Sequence, residues 1–336
     1  MMVLPSTQIS GGVLVAMKHC LMLAKAGLDV TILSDGPEEP EDLEMDGQKL
    51  FVLSHARTQF HGRIDKAVAT LWSTMSFLTL YPNIGERYYF VQGYEIDFLD
   101  PGQYLRFVAA QTYSAVVPLQ YITIFGWCQK WLKDKFGQNA ARARNGINLQ
   151  NFPVRKRSFS GKTRILIEGN SNDHYKNVDE SFRIVEKLEK EKFEVWYMSY
   201  QGKPKDWYRV DRFLLKVPND QVGGIYEQCD ILLKSSMRES FSYPPLEMMA
   251  TGGHCVVAPN GGNAEYLVHE ENCLLYEQGN IDSAVHAIHR ICEDSGLRDR
   301  LYENGLKTAQ ERDWNKLTQE ILALYGVQDR MSDDNK

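Results

Sequence analysis

The chain has no apolar run long enough to span a bilayer as a helix, and its start, Met1-Met2-Val3-Leu4-Pro5, has neither the basic residues nor the cleavage site of an export signal. A cytoplasmic protein is expected. A basic excess is also missing. The 38 Lys and Arg are outnumbered by 44 Asp and Glu, for a formal charge of −6, which argues against a nucleic-acid partner because a binder of phosphate backbones needs a basic face. Six cysteines, Cys20, Cys128, Cys229, Cys255, Cys273 and Cys292, show no paired spacing and mostly adjoin apolar residues, so buried reduced thiols are expected in preference to disulfides or a metal site. No internal repeat and no low-complexity tract is present. No Gly-x-Gly-x-x-Gly follows a first strand, which leaves an NAD-dependent oxidoreductase without its fingerprint.

What is present points to an α/β protein. At 336 residues and 43% hydrophobic composition the chain suits two domains of ordinary size, each able to bury a core, and strand and helix patterns alternate from end to end as in mainly parallel sheets. One segment is more specific than the rest. Asp230-Ile231-Leu232-Leu233 reads as a buried strand, Pro244-Pro245 opens a short helix, Gly252 stops it, and His254 to Ala258 forms the next strand. In such a unit the loop after the strand and the free N–H groups of the helix start face one crevice, where an anionic group such as a phosphate can sit. Glu239 is expected on that loop and Glu247 in the first helical turn. Two acceptor-only carboxylates beside a phosphate cradle suit neutral hydroxylated groups on either side of a diphosphate, such as a ribose and a sugar.

With Phe241, the Leu246-Glu247-Met248-Met249-Ala250 helix, Gly252 and Gly261-Gly262 leading to Glu265, this segment closely resembles the signature of retaining glycosyltransferases of the GT-B fold. The resemblance implies two Rossmann-like domains facing a central cleft, with a C-terminal helix crossing back to the first. It implies a nucleotide-diphosphate sugar as co-substrate, with no separate cofactor. Glu239 would contact the donor sugar's hydroxyls and Glu247 the ribose. Catalytic roles fall to Glu239 and Lys176, the latter neutralising the diphosphate. Donor contacts fall to Gly11, Gly12, Gly169, Phe241, Ser242, Tyr243, Leu246 and Glu247. Asn170 stands where the family commonly has an arginine, which shifts the anion contact toward a residue such as Lys234 or Arg238, or toward lower activity. The absence of an Asp-x-Asp triplet leaves no indication of a bridging metal.

In the N-terminal half, Ser10-Gly11-Gly12 is expected to open a helix from Val13 to Ala26, followed by a strand from Asp29 to Leu33. The acidic stretch from Glu38 to Glu44 reads as a solvated loop. Residues 67–74 and 88–95 look, more loosely, like strands of bacterial rhamnosyltransferases that build surface polysaccharides. Gln92 and Glu95 then fall at a strand end, as acceptor or donor contacts. Helical patterns over residues 177–190, 281–293, 297–311 and 314–325 complete the chain.

The expected domains are residues 1–153 on the acceptor side, a linker over 154–161, residues 162–312 on the donor side, a crossing helix over 313–326 and a tail from 327. The linker's Arg155, Lys156 and Arg157 read first as solvated charges and second as a patch for anionic lipid, which would place the protein peripherally at the inner face of a membrane and suit a lipid-linked or glycan acceptor. The reaction implied is sugar transfer with retention at the anomeric carbon, in surface polysaccharide or glycoconjugate synthesis. Other readings are a non-catalytic GT-B subunit that supports a partner transferase, and a sugar-nucleotide epimerase of the same fold.

Overall fold

The computed structural model describes residues 1–8, 10–36, 42–45 and 47–327. Residues 38–41 of the acidic stretch and the tail from Gln328 lie outside the described residues. The chain divides into two compact units, residues 1–145 with 317–336, and residues 146–316.

In the first unit the strands are β1 (Met2–Leu4), β2 (Thr31–Ser34), β3 (Leu43–Met45), β4 (Gln48–Ser54), β5 (Ile64–Ala69), β6 (Ile84–Val91), β7 (Gln120–Thr123) and β8 (Ala140–Arg142). They form one sheet in the order β3-β4-β2-β1-β5-β6-β7-β8, parallel throughout except for the β3–β4 hairpin. Its helices are α1 (Gly11–Lys25), α2 (Met75–Leu80), α3 (Tyr104–Thr112) and α4 (Gly126–Phe136). Ala67 and Ala69 of β5 and Ile84, Tyr89 and Val91 of β6 pack with Tyr113 and Leu132 into a continuous core.

The second unit holds β9 (Thr163–Glu168), β10 (Phe193–Ser199), β11 (Arg212–Leu215), β12 (Ile231–Lys234), β13 (His254–Val257) and β14 (Leu274–Leu275) in an all-parallel sheet of order β11-β10-β9-β12-β13-β14. Helices α5 (Val178–Val185), α6 (Asn219–Gln228), α7 (Tyr243–Ala250), α8 (Ile281–Glu293) and α9 (Ser295–Glu311) cover it. Helix α10 (Trp314–Leu324) starts in the second unit and goes with the first from Leu317 onward. Its end is fixed there by a 2.9 Å hydrogen bond between the Tyr325 hydroxyl and His19 Nδ1, and by the Arg144–Glu320 ion pair at 2.7 Å.

Both sheets have the doubly wound order in which the chain starts at a central strand, builds outward one way, then returns and builds the other way. The crevice at such a reversal lies beyond the carboxyl ends of the two central strands, β1 and β5 in the first unit, β9 and β12 in the second.

Three expectations change. Residues 72–74 are a 3-10 turn and not strand, because the Thr74 hydroxyl accepts from the N–H groups of Thr70 and Leu71 and closes the chain on itself. The helix from 177 stops at Val185, followed by turns to Leu188. The stretch 154–161 lies within the second unit. Arg157 is buried there, donating to the carbonyls of Tyr226, Cys229 and Thr251, while Arg155 pairs with Glu227 at 2.8 Å and Lys156 with Asp299 at 2.7 Å. These charges satisfy helix C-terminal carbonyls and neighbouring carboxylates.

Candidate donor site

The second unit's reversal point brings together residues that are far apart in sequence. β9 ends at Glu168, and Gly169 follows at φ +148, a conformation that side chains rarely adopt. β12 ends at Lys234, and its loop runs through Ser235, Ser236 and Glu239 to the start of α7. The adjacency of β9 and β12 sets these two strand ends side by side.

Four charged side chains meet there. Lys176, in the turn before α5, reaches Glu239 Oε2 at 2.7 Å. Lys234 Nζ lies 3.4 Å from Glu239 Oε1 and 2.5 Å from Glu168 Oε2. Burial alone would push the Glu239 carboxyl up, but Lys234 and Lys176 outweigh it and hold the group below the usual carboxylate range. Lys234 behaves reciprocally: burial disfavours its charge, and Glu168 and Glu239 more than restore it.

The loop is anchored by its own backbone. Ser235 Oγ donates to the carbonyl of Asn177, the Asn260 side chain donates to the carbonyl of Ser236 at 2.9 Å, and the N–H of Met237 donates to the carbonyl of Tyr175 at 2.8 Å. Gly262 explains the second glycine turn: a Cβ there would stand 2.5 Å from Glu239 Cβ and 2.6 Å from its carbonyl oxygen, so only glycine lets that turn pack against Glu239.

Helix α7 starts at Tyr243, ahead of the prolines, so Glu247 is its fifth residue, one turn further in than expected. Ser242 caps it, yet its buried hydroxyl has no hydrogen-bond partner among the described residues, since the N–H groups a cap normally serves belong here to Pro244 and Pro245, which have none. Burial pushes the partly exposed Glu247 carboxyl up to about 7; Tyr226 and Lys234 oppose the rise and Glu168 adds to it. Leu246 is fully buried, and its side chain belongs to the core rather than to a ligand surface. Phe241 is nearly buried and packs at 4.6 Å on Tyr243 and 5.5 Å on Tyr266, which shapes the loop from below. Glu265 is half-buried beyond the Gly262 turn.

The sequence does not single out Glu168, and it offers Lys234 only as a substitute cation. The available signal was a lysine closing an apolar run, Ile231-Leu232-Leu233-Lys234, where a strand interior ends in a charge. Asn170 folds onto its own turn: its Oδ1 accepts from the N–H of Asn172 at 3.1 Å.

In the first unit, Gly11 and Gly12 open α1 just past β1, with Ser10 capping Val13 N at 3.3 Å. Gln92 donates to the carbonyl of Gly12 at 3.1 Å, so the structure joins these two candidates. Glu95 is different. It is only 8% exposed, and its Oε2 accepts from Trp72 N–H, the Tyr89 hydroxyl and the Tyr113 hydroxyl at 2.8, 3.1 and 3.3 Å, so its side chain supports the core under the crevice rather than lining it. Among the described residues no helix is long and apolar enough to cross a membrane, and no cluster of three or more His, Cys, Asp or Glu could hold a metal ion.

Comparison with known proteins agrees with this architecture. Residues 209–308 match the family model for glycosyl transferases group 1. The O-antigen biosynthesis protein RfbC of Myxococcus xanthus is 28% identical over 267 residues, which is 77% of this chain and 20% of that protein. An uncharacterized glycosyltransferase of Methanocaldococcus jannaschii is 30% identical over 116 residues, 34% of this chain and 30% of that one. The chain thus spans less than a third of the length of the curated relatives it matches. Among solved structures, sucrose-phosphate synthase from Thermosynechococcus elongatus superposes with a TM-score of 0.79 at 14% identity, covering 97% of both chains. Anabaena HepE in complex with UDP-glucose gives 0.73 at 13% identity over 97% of this chain and 98% of that one. WaaG, a glycosyltransferase involved in lipopolysaccharide biosynthesis, gives 0.72 at 12% identity over 97% and 99%. At such identities the superpositions speak for the fold, which is GT-B.

Proposed function

We propose that this chain, which has the GT-B fold and matches the glycosyl transferases group 1 model over residues 209–308, transfers a sugar from a nucleotide-diphosphate donor to an acceptor hydroxyl with retention of anomeric configuration. The observation that carries the proposal is the pairing of Lys176 with Glu239 at the carboxyl ends of β9 and β12, where an α/β sheet presents its ligand crevice. A carboxylate kept ionised and nearly buried accepts hydrogen bonds from sugar hydroxyls, and a lysine beside it meets a phosphate.

In the proposed reaction the bond from the anomeric carbon to the diphosphate oxygen breaks. A bond to the acceptor oxygen forms on the same face, and the acceptor's proton passes to the departing phosphate oxygen. The developing phosphate charge is met by Lys176; Pro244 and Pro245 leave no N–H at the second and third positions of α7 to join it. Glu247 holds the ribose. The acceptor is a glycan or lipid-linked glycan in surface polysaccharide synthesis, a reading supported by the likeness to the O-antigen biosynthesis protein RfbC.

One observation favours a second reading. The Asn170 side chain is turned into its own loop where the family has a cation, as a non-catalytic subunit supporting a partner transferase would tolerate.

A thermal-shift screen against UDP, GDP, dTDP and their sugar conjugates, with NAD alongside, separates these readings, because a ligand that binds only the folded state raises the melting temperature. Stabilisation by one nucleotide family, followed by a product whose anomeric proton keeps the donor's configuration, supports the proposal. Silence across the panel favours the subunit, and a changed sugar without acceptor use indicates the epimerase.

A further inference from the structure

Glu239 is held by two cations that differ in their access to water. Lys176 keeps 23% of its side chain exposed, and Lys234 keeps 1%. Lys234 is also held from its far side, since its ammonium donates to the Glu168 carbonyl at 3.1 Å as well as to the Glu168 carboxylate. Glu168, Lys234, Glu239 and Lys176 therefore alternate in sign along the strand ends, and their formal charges cancel.

A balanced set attracts an anion only if one cation leaves its partner, and exposure decides which. Drawing Lys234 out would break three contacts of a desolvated charge and leave Glu168 without its lysine, whereas Lys176 sits on a surface turn and needs only to swing. Once Lys176 has moved to an anion, Glu239, at 9% exposure, keeps Lys234 of the two lysines paired with it. Tyr175 and Tyr266 also act on it, and they are hydroxyls whose burial raises them further from ionisation. Without Lys234, burial would protonate Glu239 and convert an acceptor of hydroxyl hydrogens into a group that donates one.

Resting on the glycosyltransferase reading above, we propose that Lys234, clamped by Glu168, is a positioning residue that keeps the Glu239 carboxylate in place for the donor sugar's hydroxyls after the diphosphate has drawn Lys176 away. The two lysines thus divide the labour: the exposed one exchanges between carboxylate and phosphate, and the buried one stays.

Carbon-13 carboxyl NMR of the full chain, with Glu239 assigned through Glu239→Gln, tests this in the wild type, Lys176→Met and Lys234→Met. Lys234→Met is expected to move the Glu239 titration upward by about two pH units, and Lys176→Met by clearly less. Saturating UDP, GDP or dTDP should move the wild type no further than Lys176→Met does. In turnover, Lys234→Met should lower kcat with the donor KM changed by less than about threefold, whereas Lys176→Met should raise KM. A Lys176→Met titration displaced as far as that of Lys234→Met overturns the proposal. If Lys234→Met fails to fold, the double variant Glu168→Gln/Lys234→Met, which removes the charge on both sides, gives the same readout. Failure of the donor reading looks different: no nucleoside diphosphate then perturbs the wild type, which removes the exchange step, while the variants' titrations still support or overturn the Lys234 clamp.

Discussion

Replacing Glu95 by glutamine separates a structural carboxylate from a ligand contact. Glu95 is 8% exposed, its Oε2 takes three hydrogen bonds, and its Oε1 is buried without a partner among the described residues. Burial pushes the group up from 4.5 to about 7, against the pull of Trp72 N–H and the Tyr89 and Tyr113 hydroxyls. In the unfolded chain it ionises near its ordinary value, so between these two values the native state holds more protons. The stability associated with the protonated form is complete below pH 4.5 and is lost as pH rises through about 7. At roughly 1.36 kcal/mol per pH unit, the loss approaches ~3 kcal/mol at most. Glutamine reproduces the protonated form, with an acceptor oxygen for the three donors and an amide at the orphaned position. The expected result is a urea-unfolding stability that falls from pH 5 to pH 8 in the wild type by up to about 3 kcal/mol more than in Glu95→Gln, read by tryptophan fluorescence. Nucleoside-diphosphate affinity should be unchanged. Equal pH slopes in the two proteins would refute the burial argument, and lost affinity at full stability would return Glu95 to the ligand surface.

Other perturbations test the second unit. Glu247, also pushed up to about 7, should bind a ribose as the carboxylate, so UDP affinity by calorimetry should weaken by up to about tenfold per pH unit below 7 in the wild type and stay flat in Glu247→Gln. Gly262→Ala forces a Cβ to 2.5 Å from Glu239 and should cost about 1–3 kcal/mol together with nucleotide binding, whereas Gly224→Ala, with open space inside α6, should be neutral or stabilising in the same thermal assay. Arg157→Met strips the donors from the carbonyls of Tyr226, Cys229 and Thr251 and should lower stability by about 2–4 kcal/mol, visible as a lowered melting temperature. Glu239→Ala should remove turnover while circular dichroism stays that of the wild type, and wild-type activity in that variant would end its assignment.

The strand, loop, helix and strand from Ile231 to Val257 were legible because each step has a local cause: an apolar run, two prolines, a stop glycine and a second apolar run. The Lys234–Glu168 contact had no such local cause. The two residues are 66 positions apart, and only the sheet order, which sets β9 beside β12, makes them neighbours. The partners of Glu95 are hidden in the sequence for a related reason. A carboxylate after a strand reads as exposed until the Tyr89 and Tyr113 hydroxyls, from two other elements, are seen to converge on it. The basic run at Arg155 to Arg157 reads as linker because Arg155 and Arg157 donate to backbone carbonyls about 70 to 94 residues away, and carbonyls carry no sequence signature.

Asn170 fits this same charge arrangement. Its amide completes the turn after β9 through Asn172 N–H, and the backbone there is crowded, since a Cβ on Gly202 would lie 2.6 Å from Asn170 Oδ1 and 2.4 Å from Ser171 N. A long cationic side chain at position 170 would have to give up that turn contact and leave the packed ground against Gly202. The strand ends already hold two lysines for two carboxylates. A third cation would leave the empty crevice with a net positive charge, favouring any anion, whereas the balanced set admits one only if it competes successfully with Glu239 for Lys176. Asparagine at 170 therefore costs the site no structural element, and under the proposed exchange release of Lys176 is the step on which anion selectivity turns.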